Sequence, residues 1–241
     1  MKIEIHVHTR YSKDSMMPFW AIYLKCIVSG IDAIAITDHN NIDGAIEFKR
    51  FCEKRKRKIQ VIIGEEIFSS QGEIIGLYLS DYIRPGLSAS ETIKKIKDQN
   101  GVVCIPHPYD IKRQKTVLEE TAIAENREFI DCVEVHNGRN ISLDYDAQQQ
   151  CIANKYGLTP IVGSDAHTII ELGRNYIEVT MLPLTPKDFR NIITDAELRC
   201  RPCMRIAHHI TKIVKSLKLL RRGNYNELYR TIIRRIKKDF N

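Results

Sequence analysis

The chain has 241 residues with ordinary hydrophobic (43 %) and charged (28 %) content, which suits one α/β domain of barrel size and excludes a disordered or fibrous chain. No apolar run reaches the roughly 18–20 residues that span a bilayer. The first four residues already include the charged Lys2 and Glu4 and start no secretory h-region, and the seven cysteines are scattered and odd in number, so a cytoplasmic protein without a disulfide framework is expected. The net charge of +7 is uneven: thirteen of the 37 Lys and Arg, but two of the 30 Asp and Glu, fall in residues 199–241.

In chain order, short β-branched runs alternate with segments of helical period. Strands are predicted at 2–7, 33–37, 60–67, 73–79, 102–105, 131–135, 159–162 and 176–179, and helices at 17–29, 44–56, 88–99, 143–156 and 186–195. Ser88 and Glu91 form a capping box signature, and Thr185-Pro186 reads as an N-cap followed by Pro at the first helical position. Alternation of this kind argues for a parallel sheet with helices outside, open or closed as a barrel. The one break in composition lies near Arg199, dividing a body (1–198) from a basic tail (199–241).

The strands end in metal-ligand residue types. The first run, Ile3-Glu4-Ile5-His6-Val7-His8, alternates by the period of a strand, so Glu4, His6 and His8 are expected on one face and Ile3, Ile5 and Val7 on the other. Comparable clusters follow at Thr37-Asp38-His39, Gly64-Glu65-Glu66, His107-Pro108, Glu134-Val135-His136-Asn137 and Gly163-Ser164-Asp165-Ala166-His167. In barrels of parallel strands the C-terminal strand ends ring one mouth, so these residues would converge. A set of His, Asp and Glu without Cys suits Mn²⁺, Zn²⁺ or Fe²⁺, and it exceeds what one tetrahedral ion needs, so two or three divalent ions are expected.

In this order the clusters resemble the PHP (polymerase and histidinol phosphatase) family: His6-Val7-His8-Thr9-Arg10-Tyr11-Ser12-Lys13-Asp14, then Thr37-Asp38-His39, Gly64-Glu65-Glu66, His107-Pro108 and Gly163-Ser164-Asp165-Ala166-His167. The resemblance implies a distorted (β/α)7 TIM-like barrel with a metal cluster at its mouth. By position, His6, His8, Asp14, His39, Glu66, His107, Asp165 and His167 match the family's metal ligands, with Glu66 rather than Glu65 at the bridging position. Two departures stand out. Glu4 replaces the Asp common before the first His, and the strand after the bridging glutamate, Glu73-Ile74-Ile75-Gly76-Leu77, lacks the His of members with three full metal shells. His136 or water would have to complete a third shell.

A cluster of this kind suits hydrolysis of a phosphomonoester or nucleotide phosphoester by a metal-bridging hydroxide. Asp165, His167 and His39 are the candidates for moving a proton to the leaving oxygen. Arg10, Lys13 and Arg174 are candidates for clamping the phosphate, and Glu134 for orienting a ligand from behind.

The tail carries an apolar stripe, Ile206, Ile210, Ile213, Leu217 and Leu220, and after Gly223-Asn224 a second, Leu228, Ile232, Ile236 and Phe240. A helix pair packing its stripe on the barrel is expected, with a basic surface for nucleic acid, anionic lipid or an acidic partner as the sharper reading. Cys200-Arg201-Pro202-Cys203 with His208-His209 is a weak zinc-knuckle pattern. The leading expectation is a metal-dependent phosphoric ester hydrolase acting on a phosphorylated small molecule or nucleotide. Its rivals are a nuclease or nucleic-acid-end phosphatase that uses the tail, and a non-catalytic binding module with a structural cluster. Nothing in the residues fixes an oligomeric state.

Overall fold

The computed structural model describes residues 1–230 and 233, with Leu143 described by its backbone alone. Among the described residues the strands are β1 (Lys2–Val7), β2 (Ala33–Ile36), β3 (Gln60–Ser69), β4 (Gly72–Leu77), β5 (Val102–Ile105), β6 (Cys132–Asn137), β7 (Thr159–Gly163), β8 (Tyr176–Glu178) and β9 (Glu197–Arg199). The helices are α1 (Phe19–Ser29), α2 (Asp43–Glu53), α3 (Ala89–Asp98), α4 (Glu120–Asn126), α5 (Leu143–Tyr156), α6 (Pro186–Ile192) and α7 (Arg205–Arg221). The short α4 and β9 have no counterpart among the predicted elements. Both capping boxes form, at Ser88 and at Thr185.

The strands make one sheet in the order β7-β6-β5-β4-β3-β2-β1-β8-β9. It curls until the segment after β7 meets β1: Ser164 N–H donates to Ile5 O (2.9 Å), Ala166 N–H to His6 O (3.2 Å) and His8 N–H to Ala166 O (2.9 Å). Strands β1 to β7 therefore form a nearly closed, TIM-like barrel. The parallel pattern is interrupted once. A tight turn joins β3 to β4, so β4 runs antiparallel to both β3 and β5. Gly72 takes φ 130°, and a Cβ there would strike the backbone of Leu118.

The barrel interior is filled by Ile3, Ile5, Ala33, Ala35, Ile62, Ile75, Leu77, Val102 and Cys104. Phe189 and Ile193 from the end of α6, with Ile177 of β8, belong to the same cluster and plug the end opposite the mouth. Two further clusters lie between the sheet and its helices.

One expectation about β1 is corrected here. Ile3 and Ile5 belong to the interior cluster, whereas Val7 packs outside with α1 and α2. Glu4 also lies outside, accepting from Gly173 N–H (2.8 Å). The strict alternation fails because His6 has a left-handed backbone (φ 69°) and the β1–β2 register shifts between Glu4 and Val7. This bulge turns the end of the strand by one position.

The tail expectation is also corrected. Helix α7 does dock on the barrel, but through Ala207, Thr211 and Leu219, while Ile206, Ile210, Ile213, Leu217 and Leu220 face solvent. Of the second stripe, Leu228 is half-buried, and Ile232, Ile236 and Phe240 lie outside the described residues.

Phe189 is fully buried at the closed end, packed edge-on against the Tyr78 ring with centroids 5.8 Å apart. Phe189→Ala should therefore destabilise the protein by about 3–5 kcal/mol, read as a lowered urea midpoint with little change in slope.

Candidate metal centre

Most donors at the mouth come from the ends of strands. His6 and His8 end β1, His39 follows β2, Glu66 lies on β3, His107 follows β5, and Asp165 and His167 follow β7. Asp14 comes from the loop after β1. Glu66 is the hub: its Oε1 lies 3.3 Å from His6 Nε2 and 3.2 Å from His107 Nε2, and its Oε2 lies 3.4 Å from His8 Nε2 and 2.8 Å from His39 Nδ1. Asp165 Oδ1 sits 3.6 Å from His6 Nε2 and 3.5 Å from His8 Nε2. Asp14 Oδ1 sits 3.3 Å from His167 Nε2 and 3.6 Å from His39 Nε2.

The residues behind the donors set which imidazole nitrogens are free. His6 Nδ1 donates to Glu134 Oε1 (2.7 Å). Ser12 gives its hydroxyl proton to Asp38 (2.7 Å), so its oxygen accepts from His8 Nδ1 (3.0 Å). His167 Nδ1 donates to Asp165 O (2.8 Å). In all three rings the Nε2 lone pair is left pointing at the shared carboxylates. His6 Nε2, His8 Nε2 and Asp14 Oδ1 are buried without a hydrogen-bond partner. Leaving such atoms dry and unpaired is costly unless a cation completes them.

The clustered carboxylates make the mouth strongly negative, a field that a bound cation would answer in place of a ring proton. Burial pulls the His6 imidazolium down, yet Glu66, Glu134 and Asp165 reverse this and hold its pKa well above the ordinary value. Burial and the neighbouring His167 and His39 push His8 well below it. For His39, burial is outweighed by Glu66 and Asp14, which lift it to about 10. Burial would raise Asp165, but Arg113 and His6 keep it well below the usual carboxylate range. The donor atoms fall into groups within 4.8 Å of one another: His8, His39 and His167; His6, Glu66 and His107; His6, His8 and Asp165; and His39, Glu66 and Glu73. The residues therefore fit a group of divalent ions.

All eight residues singled out by the family pattern are brought to this mouth. Glu65 points away, accepting from Ile83 N–H (3.0 Å), and burial raises its pKa to about 8. Glu134 does lie behind the donors: besides His6 it accepts from His107 N–H (2.8 Å) and Asn137 Nδ2 (2.8 Å). A Cβ on Gly163 would collide with its carboxylate.

Three candidates fall elsewhere. His136 does not reach the cluster, because the β6–β7 register shifts beside it and its ring is committed to Asp146 (2.7 Å) and Arg201 O (3.2 Å). Arg10 is exposed and lies over the Phe19 ring, 4.9 Å from its centroid. Arg174 donates to Pro202 O (3.1 Å).

Glu73, Arg113, Arg139 and part of α7 also reach the mouth, with no motif in the sequence to mark them. Glu73 begins β4, and the reversed direction of that strand delivers its carboxylate to the mouth, 3.5 Å from His107 Nε2 and 3.7 Å from His39 Nδ1. Arg113 grips Asp165 (2.6 Å) and Asp110 (3.1 Å). Arg139 is buried, with Nη2 donating to His208 Nδ1 and Thr211 Oγ1 of α7 (3.2 Å each) and Nη1 unpaired. These groups, with Lys13 and Lys215, line a cavity of about 770 Å³ that opens over the donor cluster. Lys218 Nζ ties α7 to the loop after β1 by donating to Arg10 O (2.7 Å) and Ser12 O (2.5 Å).

The PHP domain family matches residues 4–240. The chain belongs to that family. An uncharacterised protein of Methanocaldococcus jannaschii is 33 % identical over 213 residues, covering 83 % of this chain and 84 % of its own length. Solved structures share the fold. A two-domain protein of Bacteroides vulgatus, described as containing a PHP-like metal-dependent phosphoesterase, superposes with a TM-score of 0.63 at 19 % identity, covering 83 % of this chain and 65 % of its own. PsfC from Pseudomonas syringae gives a TM-score of 0.63 at 15 % identity, covering 90 % and 97 %. The PHP match runs through α7, the helix that walls the mouth.

Gly163→Ala should displace Glu134 and release the His6 ring, weakening Mn²⁺ binding by about 10–100-fold, measured by competition with a fluorescent chelator. His208 yields a pH prediction. Burial, with Arg139 and Arg113, lowers its pKa to about 4. The docked helix thus holds it neutral, and the undocked helix would protonate near the ordinary value of about 6.5. Docking is fully stable above that value and weakens as pH falls toward 4. Limited proteolysis should cut near α7 faster at pH 5 than at pH 7.5, and His208→Asn should flatten the difference.

Proposed function

We propose that the protein is a metal-dependent phosphoesterase that hydrolyses a phosphomonoester of a small molecule or nucleotide. The observation that carries this reading is the set of buried, unpaired imidazole lone pairs around Glu66 and Asp165, placed beneath a cationic rim. His6, His8, Asp14, His39, Glu66, His107, Asp165 and His167 would hold two or three divalent ions (Mn²⁺, Zn²⁺ or Fe²⁺), with Glu73 standing where the third shell needs a donor. When bound, the ions supply Lewis-acid charge to the phosphoryl oxygens and a nucleophile at neutral pH.

The chain's own groups supply the rest. Arg139, with an unpaired Nη1 at the cavity wall, fits an anionic oxygen, and Lys13 and Lys215 add positive charge around it. Arg113 holds one oxygen of Asp165 and leaves the other for the cluster. Asp165, His167 and His39 line the same cavity, within reach of a leaving oxygen. The scattered free cysteines accord with a cytoplasmic setting.

A polymer-end phosphatase or nuclease is the second reading, favoured by Lys215 of α7 together with Lys112 and Lys115 around the mouth. The small substrate is preferred because α7 lies against the cavity and walls it on one side. The test is metal analysis of the purified protein joined to a phosphate-release screen over nucleotides, sugar phosphates and 5′-phosphorylated oligonucleotides. Mn²⁺-dependent release from a small phosphomonoester is expected. Asp165→Asn should lower it by at least about 100-fold, since losing a direct donor exceeds the usual cost of losing a supporting one. Less than one ion per chain, with no release after Mn²⁺ addition, would overturn the assignment. Release confined to oligonucleotides and falling steeply with salt would favour the polymer reading.

A further inference from the structure

The two faces of α7 differ in role. Its inner face (Ala207, Thr211, Leu219) and the Lys218 tether account for docking on the barrel. They leave the outer face unexplained. Ile206, Ile210, Ile213, Leu217 and Leu220 are exposed by 59, 36, 59, 44 and 49 %. Their spacing of four, three, four and three places them in one continuous strip along the 17-residue helix. Scattered exposed aliphatics are ordinary, but a contiguous strip is a contact surface.

Charge decides what fits it. Residues 205–226 contain no Asp or Glu, while Arg205, Lys212, Arg221 and Arg222 are cationic and exposed, Lys215 and Lys218 being turned to the barrel. A second copy of this helix would set cations against cations. A nucleic acid would satisfy the cations and leave the aliphatics in water. An anionic lipid surface meets both requirements, with acyl chains receiving the strip and headgroups receiving the flanking charges. No described helix is long and apolar enough to cross a membrane, so α7 would lie in the interface. Tyr225 and Tyr229, exposed just beyond it, are of the type that settles at headgroup level. The loop that Lys218 holds leads into α1, whose outer face exposes Trp20, Leu24 and Val28.

We propose that α7 is an interfacial helix that seats the protein on an anionic phospholipid surface, apolar strip inward, with the mouth of the barrel on its other side. This is independent of the reaction carried out at the mouth. The test is co-sedimentation of the full chain with phosphatidylcholine vesicles, with and without about 30 mol % phosphatidylserine. Binding to the anionic vesicles at least about tenfold tighter than to the neutral ones is expected, weakening as salt rises. Ile213→Ser with Leu217→Ser, both at exposed positions, should reduce it by about tenfold or more while the circular dichroism spectrum and Mn²⁺ binding stay unchanged. Arg221→Glu with Arg222→Glu should do the same through charge alone. The proposal is overturned by no pelleting with anionic vesicles at low salt, or by undiminished pelleting of both double variants. A concentration-dependent dimer abolished by the Ile213 and Leu217 changes would overturn it in favour of a second copy. Tighter binding to an oligonucleotide than to the vesicles would overturn it in favour of nucleic acid.

Discussion

The mouth of this barrel is organised by one buried carboxylate that does not line the cavity above it. Glu134 takes a hydrogen bond from the His6 ring on β1, from the backbone of His107 after β5 and from Asn137 at the end of β6, and it fits only because β7 offers Gly163 beside it. Three strands, β1, β5 and β6, are fastened through two oxygen atoms. Its negative charge also selects the proton position on His6, so one group sets both where the ring stands and which nitrogen it offers.

That fastening holds back strain. His6, His107 and Asp165 all have left-handed backbones, with φ of 69°, 29° and 48°. Such conformations cost non-glycine residues of order 1–3 kcal/mol each and persist where the surroundings over-determine them. Glu134 restrains the first two and Arg113 the third. Each turned residue aims its side chain inward from a strand that is otherwise aliphatic. The same turns explain why a simple strand period misjudges Glu4 and Val7.

Much of the fold and most of the donor set were legible in the amino-acid order. Imidazoles and carboxylates are so out of place at the ends of apolar strands that their positions alone suggested convergence, and the order of the clusters suggested the family. What stayed hidden shares a physical cause. Glu73 stands at the beginning of a strand, and only the reversal of β4 makes that the mouth end. Arg113 and Arg139 occupy loops without periodicity, where a guanidinium looks like any solvated charge, whereas Arg10 and Arg174 were drawn in by mere adjacency to motifs. For α7, periodicity reports that a helix has an apolar side but not which side meets the protein. Here Ala207 and Thr211 dock with Leu219, and Thr211 takes a hydrogen bond from Arg139 of the polar rim beneath.

The hairpin between β3 and β4 has an implication for how such a centre changes over evolutionary time. Six of the strands that close the barrel reach their parallel partners by long connections, so altering any one disturbs a whole layer of helix. β4 is reached by a short turn at Ser69–Gly72, and through it the protein adds the carboxylate of Glu73 beside Glu66. One compact reversal can thus exchange or withdraw a donor while its neighbours keep their register. The number of donors at the rim becomes a trait adjustable from a single short loop, without rebuilding the scaffold around it.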